Sequence, residues 1–249
     1  MRGIKKGLVG QILKTVETSG GSKPLALQCI IHQQALCGKN VDFSSVLEPV
    51  VSTVNFLRSH GLYHRQFREF LKEINAEFYD IPYHTSVRWL SCGKVVSRFF
   101  DLRSEIEPFL NEKERPLILL KDEKWVWKLA FLADLMSHLN DFNLKIQGET
   151  KLINDVYTNL KAFRQKLILF KAQLDKVNFT HFSRCDKYDK HTSTPFPSDF
   201  AKEVFSTLIH QFTERFSDLD AFSFMIRVFE NPFRSNVEEL PAELQLEVI

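Results

Sequence analysis

The segment DEKWVWKLAFLADLMSHLNDFNLKIQG, residues 122–148, sets the fold class of the chain. Its apolar residues recur three and four positions apart, which is the period of an amphipathic helix. They are Trp125, Leu129, Phe131, Leu132, Leu135, Leu139, Phe142 and Ile146. Asp122 is a residue type that caps helix N-termini, and Gly148 is one that ends helices. We therefore predict one long helix over this segment.

The same period extends outward from it in both directions. It predicts helices over residues 4–16, 32–38, 46–57, 62–78, 95–110 and 152–177, and one or two more over 200–229, with Asp42 and Ser91 as caps. Residues 178–198 are polar and aromatic and predict a long loop, whereas residues 231–241 predict an extended tail and residues 242–249 a further helix. The chain contains 23 phenylalanines but only 9 glycines and 9 prolines, a composition that favours long packed helices.

One segment predicts a strand instead. Residues 25–31, LALQCII, are short and apolar and follow Pro24. A single strand cannot satisfy its own backbone donors and acceptors, so we expect its partners elsewhere.

Composition narrows the functional class only weakly. The formal charge of +2 and the pI near 8.3 are too small to indicate nucleic-acid binding by themselves, although a local basic face is compatible with them. The four cysteines are widely spaced, which favours free thiols in a reducing compartment. The N-terminal residues lack a signal-peptide pattern, and no apolar run is long enough to span a bilayer. We expect a soluble protein.

Cys29 and His32 have the spacing of half a zinc site. A complete site needs two more ligands, and no second pair has comparable spacing. The alternative is a buried cysteine at a strand end followed by a histidine that caps or packs. Nothing near this pair marks an oxyanion site, so we do not expect a Cys-His nucleophile.

Residues 85–91, TSVRWLS, are the most informative polar segment. Arg88 and Trp89 side by side on an extended connector could present a phosphate-pairing fork and a stacking plane together. The alternative is core packing, because Trp89 precedes a very apolar helix. We expect the phenylalanine stripes themselves to be core.

Carboxylates that could hold Mg²⁺ are not evident. Acidic residues such as Glu69, Glu73, Glu105 and Glu107 occupy helical positions that we expect to face solvent. Nor is there a glycine-rich loop of the kind that cradles phosphates. We therefore predict neither a metal site nor a bound cofactor.

Several motifs, taken in order, resemble those of one family. They are GLV (7–9), QCIIHQQALC (28–37), VNFLR (54–58), LYHRQF (62–67), VRWLS (87–91), RFF (98–100), LAFLAD (129–134), HLN (138–140) and QG (147–148). Together they are similar to hAT-superfamily transposases, in particular to Charlie-like elements and to host proteins derived from them, including BED-type zinc-finger relatives. The similarity extends over nearly the whole chain.

The resemblance implies a ribonuclease-H-like catalytic fold that is interrupted by a large helical insertion. Such transposases hold Mg²⁺ with two Asp and one Glu, and none of these acids can be placed on this chain. Cys29 and His32 match the family's Cys-x-x-His element, and Arg88 and Trp89 match its Arg-Trp element, which lies near bound DNA. The resemblance thus implies nucleic-acid contacts by Arg88 and Trp89.

From both lines of argument we predict a mainly α fold, namely the helical insertion of a hAT transposase attached to a truncated ribonuclease-H-like α/β remnant. The remnant is expected at residues 1–40, the insertion at 41–230, and a tail at 231–249. The predicted function is that of a non-catalytic transposon-derived protein in the nucleus, with the cytoplasm as the alternative. Its expected partners are DNA or host nuclear proteins, and neither a membrane nor a small-molecule substrate. The alternative is a piece of a longer, active transposase whose catalytic acids lie outside this chain.

Overall fold

The described part of the chain is mainly helical, as predicted. The computed structural model describes residues 7–20, 29–82 and 89–234, and the single residues 236, 238, 240 and 245. The helices in these ranges are α1 (Leu8–Thr18), α2 (Ile30–Lys39), α3 (Ser44–Ser59), α4 (Gly61–Glu73), α5 (Trp89–Asp101), α6 (Arg103–Glu112), α7 (Glu123–Ile146), α8 (Ile153–Leu174), α9 (Ser183–Asp189), α10 (Ser198–Arg215), α11 (Ser217–Ala221) and α12 (Ser223–Glu230). Short 3₁₀ turns cover Ile118–Lys121 and Pro232–Arg234, and none of the described residues lies in a strand.

Helix α7 is the central element. It begins where the sequence predicts, because the Asp122 carboxylate accepts the backbone N–H of Lys124 at 3.0 Å. It is apolar on most of its circumference, which is the pattern of a helix enclosed by others. Helices α5, α8 and α9 pack on it directly. At Gly93, α5 approaches α7 closely, because an added Cβ would lie 3.2 Å from the Cβ of Met136.

Phenylalanine rings fill the space around α7, which confirms that the apolar stripes are core. Phe131 and Phe182 stack with their ring centroids 6.0 Å apart, and Phe142 stacks on Phe163 of α8 at 4.3 Å. Offset and edge-to-face pairs of this kind add to the free energy gained from burial alone. The core is therefore aromatic where α7, α8 and α10 meet.

The predicted strand over residues 25–31 is wrong where it can be checked. Ile30 and Ile31 lie in the first turn of α2, and Cys29 occupies its N-cap position. Residues 25–28 lie outside the described residues. A short apolar run does not distinguish a strand from a partly buried helix by its period, and here α2 buries Gln33, Gln34 and Cys37 on one face.

Several predicted boundaries also shift. Ser91 is not a cap, because α5 already includes Trp89, and the formal N-cap of α3 is Phe43 rather than Asp42. The Asp42 carboxylate nevertheless accepts the N–H of Ser44 at 2.9 Å. Helix α4 ends at Glu73 because the chain turns at Asn75, whose φ is 50°.

Three predicted segments contain more helices than expected. The apolar run over residues 95–110 is divided between α5 and α6, the predicted loop over 178–198 contains α9, and residues 200–229 form parts of α10, α11 and α12. Of the helix predicted over residues 242–249, only Gln245 lies within the described residues, and it is helical. No helix in the described ranges has the length and apolarity that crossing a membrane requires.

Candidate nucleic-acid interface

The Cys29/His32 pair lies at the start of α2, and both residues are exposed. The alternative of a buried cysteine at a strand end is therefore wrong. Among the described residues, no three His, Cys, Asp or Glu side chains lie close enough together to hold a metal ion. The zinc half-site is thus not completed by any described residue.

The other cysteines are enclosed in the core as unpaired thiols. Burial raises the pKa of the Cys92 thiol to about 11 and that of Cys37 to about 12. It also raises the pKa of Cys185 well above the ordinary value of a thiol. Since the thiolate is the reactive form, these three cysteines pack as small apolar residues.

The structure describes only part of the predicted Arg-Trp pair. Arg88 lies in residues 83–88, outside the described ranges, and for Trp89 only the backbone is described, at the start of α5. By position, Trp89 precedes the buried residues Cys92 and Val96 by three and seven residues, which is the spacing of one helix face. This spacing supports the packing alternative for Trp89.

A group of basic side chains surrounds Asp80, at the start of the connector that leads to Arg88. His64 Nε2 donates to Asp80 Oδ1 at 2.8 Å, Arg58 pairs with the same oxygen at 3.5 Å, and Arg68 Nε lies 4.0 Å from Oδ2. Arg98 of α5 donates to the backbone carbonyl of Asp80 at 2.9 Å. We call Asp80 and these four residues the Asp80 cluster. The Asp80 carboxylate thus faces two arginines and a histidine, and a third arginine binds the backbone carbonyl.

The arginines of the Asp80 cluster also fix the backbone around it. Arg58 donates to the carbonyl of Ile81, whose side chain is 1% exposed. The Arg98 guanidinium lies 3.6 Å from the centroid of the Phe78 ring. Because guanidinium groups bind carbonyls and aromatic faces at once, residues 78–81 are held on both sides.

Helix α4 extends the positive charge beyond Asp80. His64, Arg68 and Lys72 recur every fourth residue, so they form one continuous stripe along the helix. Arg68 and Lys72 are exposed. Glu69 and Glu73 each follow a basic residue by one position and lie on the adjacent face, rotated by about 100°. The stripe of His64, Arg68 and Lys72 is therefore a basic edge of α4, and the adjacent edge carries Glu69 and Glu73 together with Arg65.

A cavity of about 330 Å³ opens beside the Asp80 cluster. Its lining includes Phe78, Pro82, Lys94, Arg98, Asp101 and Arg184. The far wall is rigid because Arg184 pairs with Asp101 at 2.9 Å and with the buried Asp134 at 3.3 Å. Burial raises the pKa of Asp134, although the N–H of Cys185 and the charge of Arg184 act in the opposite direction.

The electrostatics of Arg184 follow from the same network. Burial alone would lower the pKa of Arg184, but hydrogen bonds to Asp101 and the charges of both carboxylates raise it. Its charge is therefore neutralised within the protein. Arg68 and Lys72 of α4 and Lys94 of α5 are, by contrast, basic residues of this region that are exposed to solvent.

Sequence reasoning missed the Asp80 cluster. The sequence places Asp80 in an extended connector, and its partners come from three different helices. A weak signal existed, namely the four-residue spacing of His64, Arg68 and Lys72. That spacing alone does not reveal which carboxylate or carbonyl the stripe meets.

Comparison with known proteins places the chain in a family. A family model described as the FAM200/GTF2IRD2 helical domain matches residues 28–175, which include α2 to α8 and the whole Asp80 cluster. The chain belongs to this family. The resemblance that the motifs indicated is thereby confirmed, and the relatives are consistent with an origin in a transposon.

Two curated relatives extend the similarity over the whole chain. The "General transcription factor II-I repeat domain-containing protein 2" of Bos taurus is 31% identical over 244 residues, which is 98% of this chain and 25% of the relative. The protein of the same name from Mus musculus is 30% identical over 250 residues, or 100% of this chain and 26% of the relative. The chain therefore spans about a quarter of the length of these relatives. No solved structure matches it.

Proposed function

We propose that this member of the FAM200/GTF2IRD2 helical-domain family is a non-catalytic, transposon-derived module that binds DNA in the nucleus. The observation that carries the proposal is the Asp80 cluster with the basic edge of α4. Arg68 reaches the Asp80 carboxylate only at 4.0 Å and Lys72 lies one turn further along α4, so exposed positive charge lies beside the connector. Arg88 and Trp89, the DNA contacts predicted from the sequence, adjoin it in the chain.

The physical argument rests on local charge. A net charge of +2 gives no general attraction to DNA, but phosphate contacts depend on the few side chains that reach the backbone. Arg68 is 49% exposed and Lys72 is exposed, so each can approach a phosphate without unfolding. Arginine suits this role because its planar fork matches phosphate oxygens.

Three further proposals accompany this one. Residues 1–40 would correspond to part of a ribonuclease-H-like fold, residues 41–230 to the helical insertion, and residues 231–249 to a tail. The relatives' names as transcription-factor repeat proteins support a nuclear location and DNA or nuclear-protein partners. Cys29 and His32 would be retained as a family motif without a metal.

The test is fluorescence anisotropy of the chain with duplex and hairpin DNA over a salt series. We expect affinity to fall steeply between about 50 and 200 mM salt. The double variant Arg68→Glu, Lys72→Glu should weaken binding and reduce the salt slope by about one for each phosphate that the variant no longer binds. The matched control is Lys166→Glu, Lys176→Glu, which reverses two exposed charges in and just after α8.

Two results would contradict the proposal. Binding that is absent at about 50 mM salt, with circular dichroism showing intact helix, would favour a protein-interaction role. If the α4 and α8 double variants lose DNA affinity equally, the attraction to DNA is not localised at the basic edge of α4. A binding-competent chain whose α4 variant alone is weakened supports the proposal.

The second candidate is that catalysis belongs to a longer chain, because the relatives are about four times as long as the matched region. Its two-metal chemistry would need carboxylates outside these 249 residues. We expect no Mg²⁺- or Mn²⁺-dependent cleavage of duplex DNA by this chain. Nicking that persists through repurification and is abolished by chelation would overturn the non-catalytic proposal.

A further inference from the structure

Tyr79 is half exposed, although the residues on both sides of it are tightly held. Tyr79 is 50% exposed, whereas Ile81, two positions later, is 1% exposed. Phe78 lies beneath the Arg98 guanidinium, and Asp80 is bound through both its carboxylate and its carbonyl. A large aromatic ring is thus presented to solvent from an anchored backbone.

This anchoring has an energetic consequence. Binding normally costs free energy because flexible loops and side chains must become ordered. At Tyr79 the backbone is already fixed by the arginines of the Asp80 cluster, so ligand binding orders only the side chain, which has two rotatable bonds. The arrangement is that of a preformed stacking surface.

The surroundings of Tyr79 identify the ligand class. Arg58 and Arg68 pair with Asp80, the residue that follows Tyr79 in the chain, so two guanidinium groups lie beside this part of the backbone. Aromatic rings interleaved with arginines are the combination that binds nucleic-acid strands, since every base has a π face and every nucleotide a phosphate. Within a duplex the base faces are stacked on one another and only the edges are accessible.

We infer that Tyr79 stacks on an unpaired base, so that this interface takes a single-stranded or frayed nucleic-acid segment whose phosphates lie against the basic edge of α4. The inference rests on the proposed function and adds to it the kind of nucleic acid that is preferred. Unpaired nucleotides of DNA and of RNA share the required chemistry.

The experiment compares three labelled probes of about 12 nucleotides and equal sequence, namely single-stranded DNA, single-stranded RNA and duplex DNA. We expect the single-stranded DNA to bind more tightly than the duplex at equal salt, and the RNA arm shows whether the sugar is distinguished. Tyr79→Ala should weaken single-strand binding about five-fold or more. Tyr79→Phe keeps the ring and should retain the wild-type affinity.

A matched control is Phe233→Ala, which removes an aromatic side chain that is 86% exposed, next to α12. It should leave single-strand binding unchanged. Replacing one base at a time with an abasic site in the DNA probe gives a second measurement. A stacking contact predicts that one abasic position removes most of the effect of Tyr79→Ala.

The outcomes separate this inference from the proposed function. If single strand and duplex bind equally and Tyr79→Ala is silent, while the α4 charge reversal still weakens binding, the stacking inference is wrong and the DNA-binding proposal stands. If Tyr79→Ala and Phe233→Ala weaken binding equally, the inference is also wrong. If no probe binds, both proposals fail, and Tyr79 would instead indicate a protein-docking surface.

Discussion

Asp134 binds both the backbone and the side chain of Arg184. Its Oδ2 accepts the backbone N–H of Arg184 at 2.9 Å, and its Oδ1 lies 3.3 Å from the guanidinium Nη1. The same Oδ2 also accepts the N–H of Cys185 at 3.1 Å. A side chain of α7 therefore caps the start of α9 from outside that helix and pairs with its first cation. Through Arg184 and Asp101, α9 is joined to α5 as well.

Asp134→Ala should be strongly destabilising. The side chain of Asp134 is 4% exposed and that of Arg184 is 20% exposed, so the substitution would leave a largely buried cation with one partner fewer. Removing one member of a buried pair costs about 3–5 kcal/mol. We expect the free energy of unfolding to fall by about 3 kcal/mol, at the lower end of this range, because Asp101 still pairs with Arg184. Urea unfolding, monitored by circular dichroism, measures this change.

The control lies on α9 itself. Asp186 pairs with Lys190 at 2.6 Å, but both side chains are more than half exposed. Asp186→Ala should change the free energy of unfolding by less than about 1 kcal/mol. Similar losses for Asp134→Ala and Asp186→Ala would contradict the claim that burial makes the Asp134 pair important.

Gly93 is required by the close crossing of α5 and α7. An added Cβ would lie 3.2 Å from the Cβ of Met136, an atom fixed by the α7 backbone. Gly93→Val should therefore destabilise the protein by about 1–3 kcal/mol through overpacking. Gly61→Val is the matched control, because a Cβ at Gly61 meets nothing within 4 Å. Thermal unfolding measures both variants. If Gly93→Val lowers the stability less than Gly61→Val does, α5 and α7 separate easily to make room for the new side chain.

The long helices could be predicted from the sequence because their signals are local. The periodic apolar residues of α7 and α8 continue for six turns or so, and Asp122 caps α7 as expected. The division between α5 and α6 at Leu102 could not be predicted, since Leu102 is buried and its N–H still bonds to Arg98. The apolar period therefore crosses the break without interruption.

The Asp80 cluster depends on information that one sequence does not contain. Arg58, His64 and Arg98 meet Asp80 only because α3, α4 and α5 pack together. The strand prediction failed for the opposite reason, since a local signal was ambiguous and tertiary packing made Ile30 and Ile31 helical. Contacts between helices distant in sequence therefore decide both features, and a local pattern does not show them.

Glu123 should make stability depend on pH. Hydrogen bonds from Thr194 and Thr192 hold the pKa of Glu123 below its ordinary value and tie residues 192–194 to the start of α7. Because the folded-state pKa is depressed, these bonds contribute fully above the unfolded-state pKa of about 4.3. Their contribution is lost as the pH falls through the folded-state pKa.

We therefore expect Glu123→Gln to lower the Tm at neutral pH, and the difference from wild type to shrink below about pH 4 and to close once the pH is below the folded-state pKa. Differential scanning calorimetry at several pH values measures both. Asp42, whose pKa is lowered by hydrogen bonds from Ser44, titrates in both proteins and cancels in the difference. A difference in Tm that stays constant with pH would show that the carboxylate charge is not involved.

Trp89 allows its two proposed roles to be separated. A DNA contact predicts that Trp89→Ala weakens DNA binding while leaving the Tm unchanged. Core packing predicts a loss of about 3–5 kcal/mol in the free energy of unfolding, as for other buried aromatic residues. The three- and seven-residue spacing to Cys92 and Val96 favours the second result. Trp89→Phe, which conserves an apolar ring, should then recover most of the stability.

The decisive measurement for Trp89 is DNA affinity at a temperature where every variant is folded. If Trp89→Ala binds duplex DNA as wild type does, while Tyr79→Ala loses single-strand affinity, the aromatic contact belongs to Tyr79 and Trp89 supports α5 from within. If instead Trp89→Ala loses affinity at full helicity, the Arg-Trp element contacts DNA, because a purely structural residue would not change the affinity of a folded chain.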